Sequence, residues 1–214
     1  MLLKTTKLMK AFGGLKAINQ VDFELPANEI RGIIGPNGSG KSTFFNLVSG
    51  VYEPDPGSLI EFDGKDITNE PPHKIGELGL ARTFQLLRLY QDMSVINNVM
   101  SGYHKLVPYN FIDAVTGRKK IWDQEKTIKE EMMDLLSFVG LADYAELNAS
   151  ELSGGQRRLL VLARAIAGKP KLLMLDEPAA GLSPVNVDNL MKILMRLKEK
   201  YGLTLIIIEH ILKV

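Results

Sequence analysis

The chain has 214 residues, of which 45% are hydrophobic, and these values predict one globular unit with a sizeable core. Because 26 Lys and Arg residues nearly balance 25 Asp and Glu residues, the net charge of +1 gives no sign of a nucleic-acid partner. The absence of cysteine excludes disulfide bonds, thiolate metal sites and a cysteine nucleophile. The longest apolar run near the C-terminus, residues 205–208, is far shorter than the ~20 residues of a membrane span, so we expect a soluble chain.

The first third of the chain alternates short apolar runs with turn residues, a pattern typical of β-strands. Four strands are predicted there, at residues 2–10, 21–25, 30–34 and 58–62. The dipeptide Asp63-Gly64 follows the last of them and suits a tight turn between two strands. This third of the chain is therefore predicted to be rich in β-structure.

After residue 85 the apolar residues follow a helical period. Five of them recur at helical spacing among acidic residues, and we interpret this stripe as a core-facing surface: Ile128, Met132, Leu135, Leu136 and Val139. Further helices are predicted at 157–167 and 184–201, the second with Ser183 as its N-cap and Pro184 at its first position. Buried strands are predicted on either side of that helix, at 171–175 and 203–208. Because strand, helix and strand follow in order, the sequence predicts a parallel sheet in an α/β fold.

The glycine-rich segment between the strand at 30–34 and a helical run at 42–49 fits the phosphate-loop pattern G-x-x-x-x-G-K-[ST]. Glycines let backbone N–H groups turn toward a phosphate chain, and the following helix adds the positive end of its dipole. Lys41 is expected to reach the β- and γ-phosphates, and the Ser42 hydroxyl is expected to bind Mg²⁺. The predicted nucleotide-binding residues of this segment are Gly35, Pro36, Asn37, Gly38, Ser39, Gly40, Lys41, Ser42 and Thr43.

Two adjacent carboxylates, Asp176 and Glu177, follow the apolar run 172–175. In α/β folds, ligands bind at the carboxyl ends of the parallel strands. Asp176 is expected to hold Mg²⁺ directly or through water, and Glu177 is expected to polarise the water that attacks the γ-phosphate. Together with the phosphate loop, this pair indicates a nucleoside triphosphatase. It leaves the family open, because kinases, GTPases, helicases and transport ATPases share both features.

A third motif, Leu152-Ser153-Gly154-Gly155-Gln156, precedes the predicted helix 157–167 and presents a hydroxyl and glycine N–H groups at a helix N-terminus. One phosphate chain needs only one such cradle, so a second one suggests a site completed by another copy. With this motif the chain resembles the ATP-binding-cassette (ABC) ATPase family over essentially its whole length. The resemblance implies that the motif binds the γ-phosphate of ATP held by the partner in a head-to-tail dimer.

The same resemblance implies a fold and a domain organisation. The expected fold is a P-loop (RecA-like) parallel-sheet core with an antiparallel β subdomain and an inserted α-helical subdomain. We expect one ABC ATPase domain, with the nucleotide-binding core at 1–85 and 168–214 and the helical subdomain at 86–167. Because the family continues through further strands and a helix, we expect the natural chain to extend beyond residue 214.

Some residues gain roles from the resemblance alone. Gln85 matches a glutamine that contacts Mg²⁺ and the attacking water and couples the site to the transporter. His210 matches a histidine on the γ-phosphate, and Phe12 matches an aromatic residue that stacks on adenine. Ser183 stands where the family often has Asp or Asn, which leaves its contact across the dimer open.

Three segments narrow the resemblance to the ATP-binding subunits of branched-chain amino acid importers. They are Phe12-Gly13-Gly14-Leu15-Lys16-Ala17, residues 81–99 with Arg82-Thr83-Phe84-Gln85, and residues 177–184. Urea and amide importers share much of this pattern and stay as alternatives, as does a regulatory module that binds ATP without hydrolysing it. DNA-repair ABC proteins are excluded because residues 85–152 leave no room for coiled-coil arms. GTPases are excluded because the chain lacks an N-K-x-D motif.

The resemblance thus implies an ATPase that uses ATP and Mg²⁺ to power transport. Its expected partners are a second ABC ATPase, in a homodimer or heterodimer, and integral membrane permease subunits, with no nucleic acid. Its expected location is cytoplasmic and peripheral, at the inner face of the plasma membrane.

Overall fold

A computed structural model of the chain describes residues 1–83, 89–103 and 119–209, and for residues 119–125 it describes the backbone alone. The chain divides into two compact units. The first unit combines Met1–Gln85 with Pro170–Val214, and the second is Leu86–Lys169. In sequence, the second unit is therefore an insertion between two parts of the first.

Two four-stranded sheets lie in the first unit. Up to residue 83 its elements are β1 (Leu3–Phe12), β2 (Leu15–Leu25), β3 (Ile30–Ile34), α1 (Lys41–Val48), β4 (Leu59–Phe62), β5 (Lys65–Asp66), α2 (Pro72–Glu77) and β6 (Leu80–Thr83). Across the second unit, the described helices are α3 (Val95–Tyr103), α4 (Lys119–Val139) and α5 (Gly154–Ala167), with single 3₁₀ turns at Ala142–Tyr144 and Ala149–Glu151. The chain then returns to the first unit as β7 (Leu172–Asp176), α6 (Pro184–Tyr201) and β8 (Thr204–Glu209). One sheet is antiparallel, in the order β2-β1-β4-β5, and the other is parallel, in the order β3-β8-β7-β6.

The antiparallel sheet is built on a hairpin of β1 and β2, in which Phe12 pairs with Leu15 across Gly13 and Gly14. Gly13 has φ +57°, a left-handed conformation that glycine adopts without steric cost. The predicted strands at 2–10 and 21–25 stop short of this turn. The first half of β2 is largely exposed, so it lacks the alternation of a half-buried strand. In the sequence, the pair Gly13-Gly14 is the local feature that indicates this hairpin.

The predicted tight turn at Asp63-Gly64 is confirmed. Phe62 pairs with Lys65 across it, which joins β4 to β5. Asp63 and Gly64 have φ values of +50° and +75°, as a two-residue hairpin turn of the common primed type requires.

The parallel sheet has β7 and β8 at its centre, with Leu173 opposite Leu205 and Leu175 opposite Ile207. Both strands are buried along almost their whole length, as expected for parallel strands covered on two faces. The prediction of a parallel sheet in an α/β fold is confirmed. The short strand β6, which the sequence did not predict, pairs with β7 on the other side.

The helices of the second unit bury the predicted apolar stripe. In α4, Met132, Leu135, Leu136 and Val139 are buried and Ile128 is half-buried, so the interpretation as core is confirmed. None of the helices in the described ranges is long and apolar enough to cross a bilayer.

Asn98 in α3 is fully buried, and its amide fixes the segment that precedes the helix. Its Oδ1 accepts a hydrogen bond from the Tyr90 N–H at 3.0 Å. Its Nδ2 donates to the carbonyl oxygens of Tyr90, Met93 and Ser94 at 2.9, 3.1 and 3.1 Å. Because buried polar groups are costly when unpaired, this amide holds residues 90–94 in one conformation.

Asn98→Ala is expected to lower the free energy of unfolding by about 1–3 kcal/mol, because it removes all the hydrogen bonds of a fully buried amide. Urea denaturation followed by circular dichroism measures the loss. Asn97→Ala is the matched control, since Asn97 lies on the same helix in an exposed position. Its effect should stay within about 0.5 kcal/mol. Equal stability of the two variants would contradict the role of the Asn98 amide.

Candidate active site

Three parallel strands end where the predicted site residues of the first unit begin. β3 leads into the glycine loop at Gly35, β7 ends at Asp176, and β8 ends at Glu209. The strand registers place Ile34 opposite Glu209 and Asp176 opposite Ile208. Because parallel strands share one carboxyl edge, the structure brings the loop and the acidic pair together at that edge.

The glycine loop turns into α1, which begins at Lys41. Gly38 and Gly40 have φ values of +81° and +90°, a region that other residues rarely adopt. A Cβ at Gly40 would lie 2.5 Å from the carbonyl oxygen of Ala17 in β2, whereas a Cβ at Gly38 would meet open space. Glycine at position 40 therefore lets the loop lie directly against β2.

The Lys41 side chain folds back into the loop and is only 7% exposed. Its Nζ donates hydrogen bonds to the carbonyl oxygens of Gly35 and Pro36 at 2.7 and 2.9 Å. An ammonium has three N–H donors, so one is left for a ligand. Within the residues that the structure describes, no carboxylate forms an ion pair with Lys41. A buried cation that meets only carbonyl groups is poorly neutralised, and an anion such as a phosphate fits this site.

Asp176 is nearly buried and forms an ion pair with Arg82 of β6. Arg82 Nη2 lies 3.2 Å from Asp176 Oδ2, and the two side chains are 8% and 10% exposed. Arg82 Nη1 donates to Asn46 Oδ1 at 2.6 Å and to Ser49 Oγ at 3.1 Å. The guanidinium also lies over the Phe45 ring, 5.5 Å from its centroid. One side chain thus connects Asp176 to the helix that starts at the glycine loop.

Two opposing effects act on the pKa of the Arg82 guanidinium. Burial lowers the pKa of the Arg82 guanidinium below its ordinary value, while the hydrogen bond and charge of Asp176 oppose that shift. Arginine starts from so high a pKa that it keeps its proton in proteins. The guanidinium is therefore a buried positive charge in contact with the Asp176 side chain.

Glu177 directly follows β7, is half-buried and has φ +49°. Its N–H donates to the Ile208 carbonyl at 3.0 Å, and its carbonyl accepts from the Ala180 N–H at 3.1 Å. A residue other than glycine in the left-handed region is uncommon and persists where the surrounding structure holds it. The next turn is tied to β8 as well, because Glu209 Oε1 accepts a hydrogen bond from the Ala179 N–H at 3.0 Å.

Phe12, the predicted adenine-stacking residue, lies at the end of β1 and is 45% exposed. Its ring meets Tyr52 edge-on, with 5.4 Å between centroids and 74° between planes, and Lys10 Nζ lies 5.7 Å from its centroid. Phe12 is thus outside the core, as stacking on a ligand requires. The hairpin that carries it also carries Ala17, which lies against Gly40 of the loop.

The motif at residues 152–156 lies in the second unit, where it starts α5. Ser153 is the N-cap, and Gly154–Gln156 form the first turn, three residues earlier than the predicted helix start. The Ser153 Oγ accepts from the Gln156 N–H at 3.3 Å, and the Ser153 N–H donates to Gln156 Oε1 at 2.8 Å, which is a capping box. Leu152 is buried. A Cβ at Gly154 or Gly155 would meet open space, and the N–H groups of these two residues have no acceptor within the helix.

The helix start predicted at Ser183 and Pro184 is confirmed, because α6 begins at Pro184 with Ser183 at the N-cap. The Ser183 side chain makes no capping hydrogen bond in this part of the described chain. Ser183 is exposed.

The predictions for Gln85 and His210 lie outside the described residues. The other expected Mg²⁺ ligands are the exposed Ser42 hydroxyl and the Asp176 carboxylate, hard oxygen donors that suit this ion. Across residues 1–83, 89–103 and 119–209, no group of three or more His, Asp or Glu side chains could hold a metal ion by itself. Mg²⁺ bound to nucleotides keeps water and phosphate oxygens beside one or two protein ligands, and Ser42 and Asp176 are oxygen donors of the kind it takes.

The network of Arg82, Asn46 and Ser49 was not found from the sequence. Arg82 and Asp176 are 94 residues apart, and a single arginine in a four-residue strand has no pattern that points to a distant carboxylate. Arg82 lies in the segment Arg82-Thr83-Phe84-Gln85, which contributes to the family resemblance, but that resemblance gives a role in this segment to Gln85 and not to Arg82.

A phosphate loop at the carboxyl edge of a parallel sheet places the chain among the P-loop nucleotide-binding proteins. Within that class, residues 18–180 match the ABC transporter family, and the chain belongs to it. The fold is similar to the crystal structure of an ATP-binding cassette of an ABC transporter in its ADP conformation. That likeness has a TM-score of 0.83 at 34% identity and covers 99% of this chain and 82% of the other. A nucleotide-free ATP-binding cassette from an ABC transporter is similar with a TM-score of 0.81 at 34% identity, over 100% of this chain and 83% of that one.

Curated relatives are similar over nearly the whole chain. The high-affinity branched-chain amino acid transport ATP-binding protein BraF of Pseudomonas aeruginosa is 37% identical over 212 residues, which is 99% of this chain and 83% of the relative. The probable branched-chain amino acid transport ATP-binding protein LivG of Archaeoglobus fulgidus is 42% identical over 213 residues, which is 98% of this chain and 79% of the relative. The chain is thus an ATP-binding component of the ABC transporter type, and such proteins are ATPases.

Gly40→Ala is expected to destabilise the chain more than Gly38→Ala. Both glycines have left-handed φ values, which cost another residue roughly 1–2 kcal/mol, but only a Cβ at position 40 would meet a backbone oxygen. Overpacking of that kind adds about 1–3 kcal/mol. Urea denaturation of the two variants measures the difference. Equal losses of stability would show that the loop does not lie against β2 as described.

Proposed function

We propose that this chain binds and hydrolyses ATP to power the import of branched-chain amino acids through membrane permease subunits. The observation that supports the solute most is the 37% and 42% identity, over at least 98% of the chain, to relatives named for branched-chain amino acid transport. The active-site geometry supports the ATP-driven part of the proposal. It supports no particular solute, because the permease and not this chain contacts the solute.

In this proposal the glycine loop holds the phosphate chain of ATP. The loop N–H groups and the start of α1 face the phosphates, and Lys41 supplies the positive charge for the β- and γ-phosphates. Ser42 and Asp176 would hold Mg²⁺, with Gln85 as a further ligand. The bound ion would supply positive charge against the phosphate charge that develops as the γ-phosphoryl group is transferred. Phe12 stacks on the adenine ring.

Hydrolysis in this proposal needs one positioned base. Glu177 accepts a proton from a water molecule whose oxygen attacks the γ-phosphorus, the bond from that phosphorus to the β–γ bridging oxygen breaks, and ADP and phosphate leave. The backbone hydrogen bonds to Ile208 and from Ala180 support this role, because they hold Glu177 at the strand end. His210 contacts the γ-phosphate.

The signature segment at residues 152–156 completes the site of a second ABC ATPase in a head-to-tail homodimer or heterodimer. Its support is the exposed first turn of α5, whose N–H groups suit an anion. The chain then acts as one ABC ATPase domain, with the core at 1–85 and 168–214 and the helical subdomain at 86–167. It works on the cytoplasmic side of the plasma membrane, bound to its permease and to no nucleic acid.

Glu177→Gln is expected to reduce ATP turnover by roughly 10²-fold or more, because the amide cannot accept the proton of the attacking water. ATP affinity should change little, since the substitution keeps the shape of the side chain. Steady-state phosphate release and calorimetric ATP titration of the purified chain with Mg²⁺ measure the two effects. Glu77→Gln, an exposed glutamate in α2, is the matched control and should keep turnover within about twofold.

Turnover of Glu177→Gln equal to that of the parent chain would remove Glu177 from the mechanism. Tight ATP binding by the parent chain without any turnover would favour the alternative of a regulatory module that binds ATP without hydrolysing it.

A further inference from the structure

The buried arginine at the end of β6 has a geometry that the mechanism above does not use. Arg82 Nη2 contacts only one oxygen of Asp176, Oδ2. Within the part of the chain that the structure describes, no side chain donates a hydrogen bond to Asp176 Oδ1. One carboxylate oxygen is thus occupied by the protein, and the other is left for a ligand.

We propose that Arg82 is a positioning residue for the cation that accompanies ATP, because it holds Asp176 Oδ2 and leaves Oδ1 to bind the ion. This inference rests on the proposed function, in which Asp176 is an Mg²⁺ ligand. Carboxylates that bind metals are commonly oriented by hydrogen bonds from a second layer of residues. Arg82 supplies that layer here.

The contacts of Arg82 on its other side explain why its position is fixed. Asn46 and Ser49 accept hydrogen bonds from Nη1, and the Ser49 hydroxyl donates its own proton to the Phe45 carbonyl at 2.7 Å. All three residues belong to α1 or its C-cap. Because α1 begins at Lys41, the Asp176 carboxylate is held at a defined place relative to the helix that carries the phosphate-binding residues.

The energetics favour positioning over stability as the reason for this pair. Moving a guanidinium and a carboxylate out of water costs energy that their attraction often only offsets, so a well-packed apolar pair can be equally stable. The planar guanidinium, in contrast, donates along several fixed directions at once, which a lysine ammonium cannot reproduce. Arg82 uses this property to bridge β7 and α1.

The inference predicts a specific loss of the contribution that Mg²⁺ makes to ATP binding. Isothermal titration calorimetry gives the Kd for ATP of the purified chain in Mg²⁺ and in EDTA. The Kd in EDTA divided by the Kd in Mg²⁺ measures that contribution. In Arg82→Gln the ratio should fall at least about tenfold, as is typical when a second-layer partner of a metal ligand is lost. The Kd in EDTA should stay within about twofold of the parent value. Arg82→Lys keeps the charge and should lower this ratio nearly as much. It replaces Arg82→Gln in the test if that variant does not fold.

Two further variants separate positioning from a structural role. Asn98→Ala removes a buried polar network in the other unit, and it should lower thermal stability while leaving the ratio unchanged. In an Asp176→Ala background, which lacks the proposed ligand, Arg82→Gln should have no further effect on the ratio.

The outcomes are distinguishable. If the parent chain binds ATP equally well in Mg²⁺ and EDTA, the proposed role of Asp176 fails. If the parent chain depends on Mg²⁺ and the Arg82 variants keep its ratio, or if both Kd values weaken together, Arg82 is structural and the inference is wrong.

Discussion

The candidate site depends on one constraint of parallel sheets, namely that all strands end at the same edge. β3, β8, β7 and β6 lie side by side in one parallel sheet, so their carboxyl ends lie along one edge. The glycine loop follows β3, and the acidic pair is at the end of β7. The fully apolar interiors of β7 and β8 hold this edge in place, because a shift of either strand would expose or misplace its buried side chains.

Two buried cations at this edge have partners of different kinds. Arg82 contacts a carboxylate and two polar groups of α1, whereas the described contacts of Lys41 are two carbonyl oxygens. A carboxylate gives a buried cation a permanent partner, and carbonyl groups give it partial stabilisation that an anion can complete. The difference suits a site in which Asp176 stays fixed in the protein while a phosphate chain binds and leaves at Lys41.

Much of the fold and of the phosphate loop could be predicted because their signals are local. The loop pattern, the apolar runs of β7 and β8, the Asp63-Gly64 turn and the stripe on α4 each occupy one continuous segment. The extent of β2, the strand β6 and the partners of Arg82 and Asn98 could not be predicted in this way. β6 has four residues, and the Arg82 contacts join segments 33 to 94 residues apart. Such contacts are set by how elements pack, which no single stretch of sequence records.

The role proposed for Lys41 is to bind the ATP that powers uptake of branched-chain amino acids. The most direct test is uptake of labelled leucine by cells whose gene for this chain carries Lys41→Met, compared with cells that carry Lys65→Met at an exposed lysine. Lys41→Met should abolish leucine uptake by this transporter, and Lys65→Met should leave it unchanged. Unaltered leucine uptake in Lys41→Met cells would contradict this role, and a loss of urea or amide uptake in its place would assign the chain to an importer of those solutes.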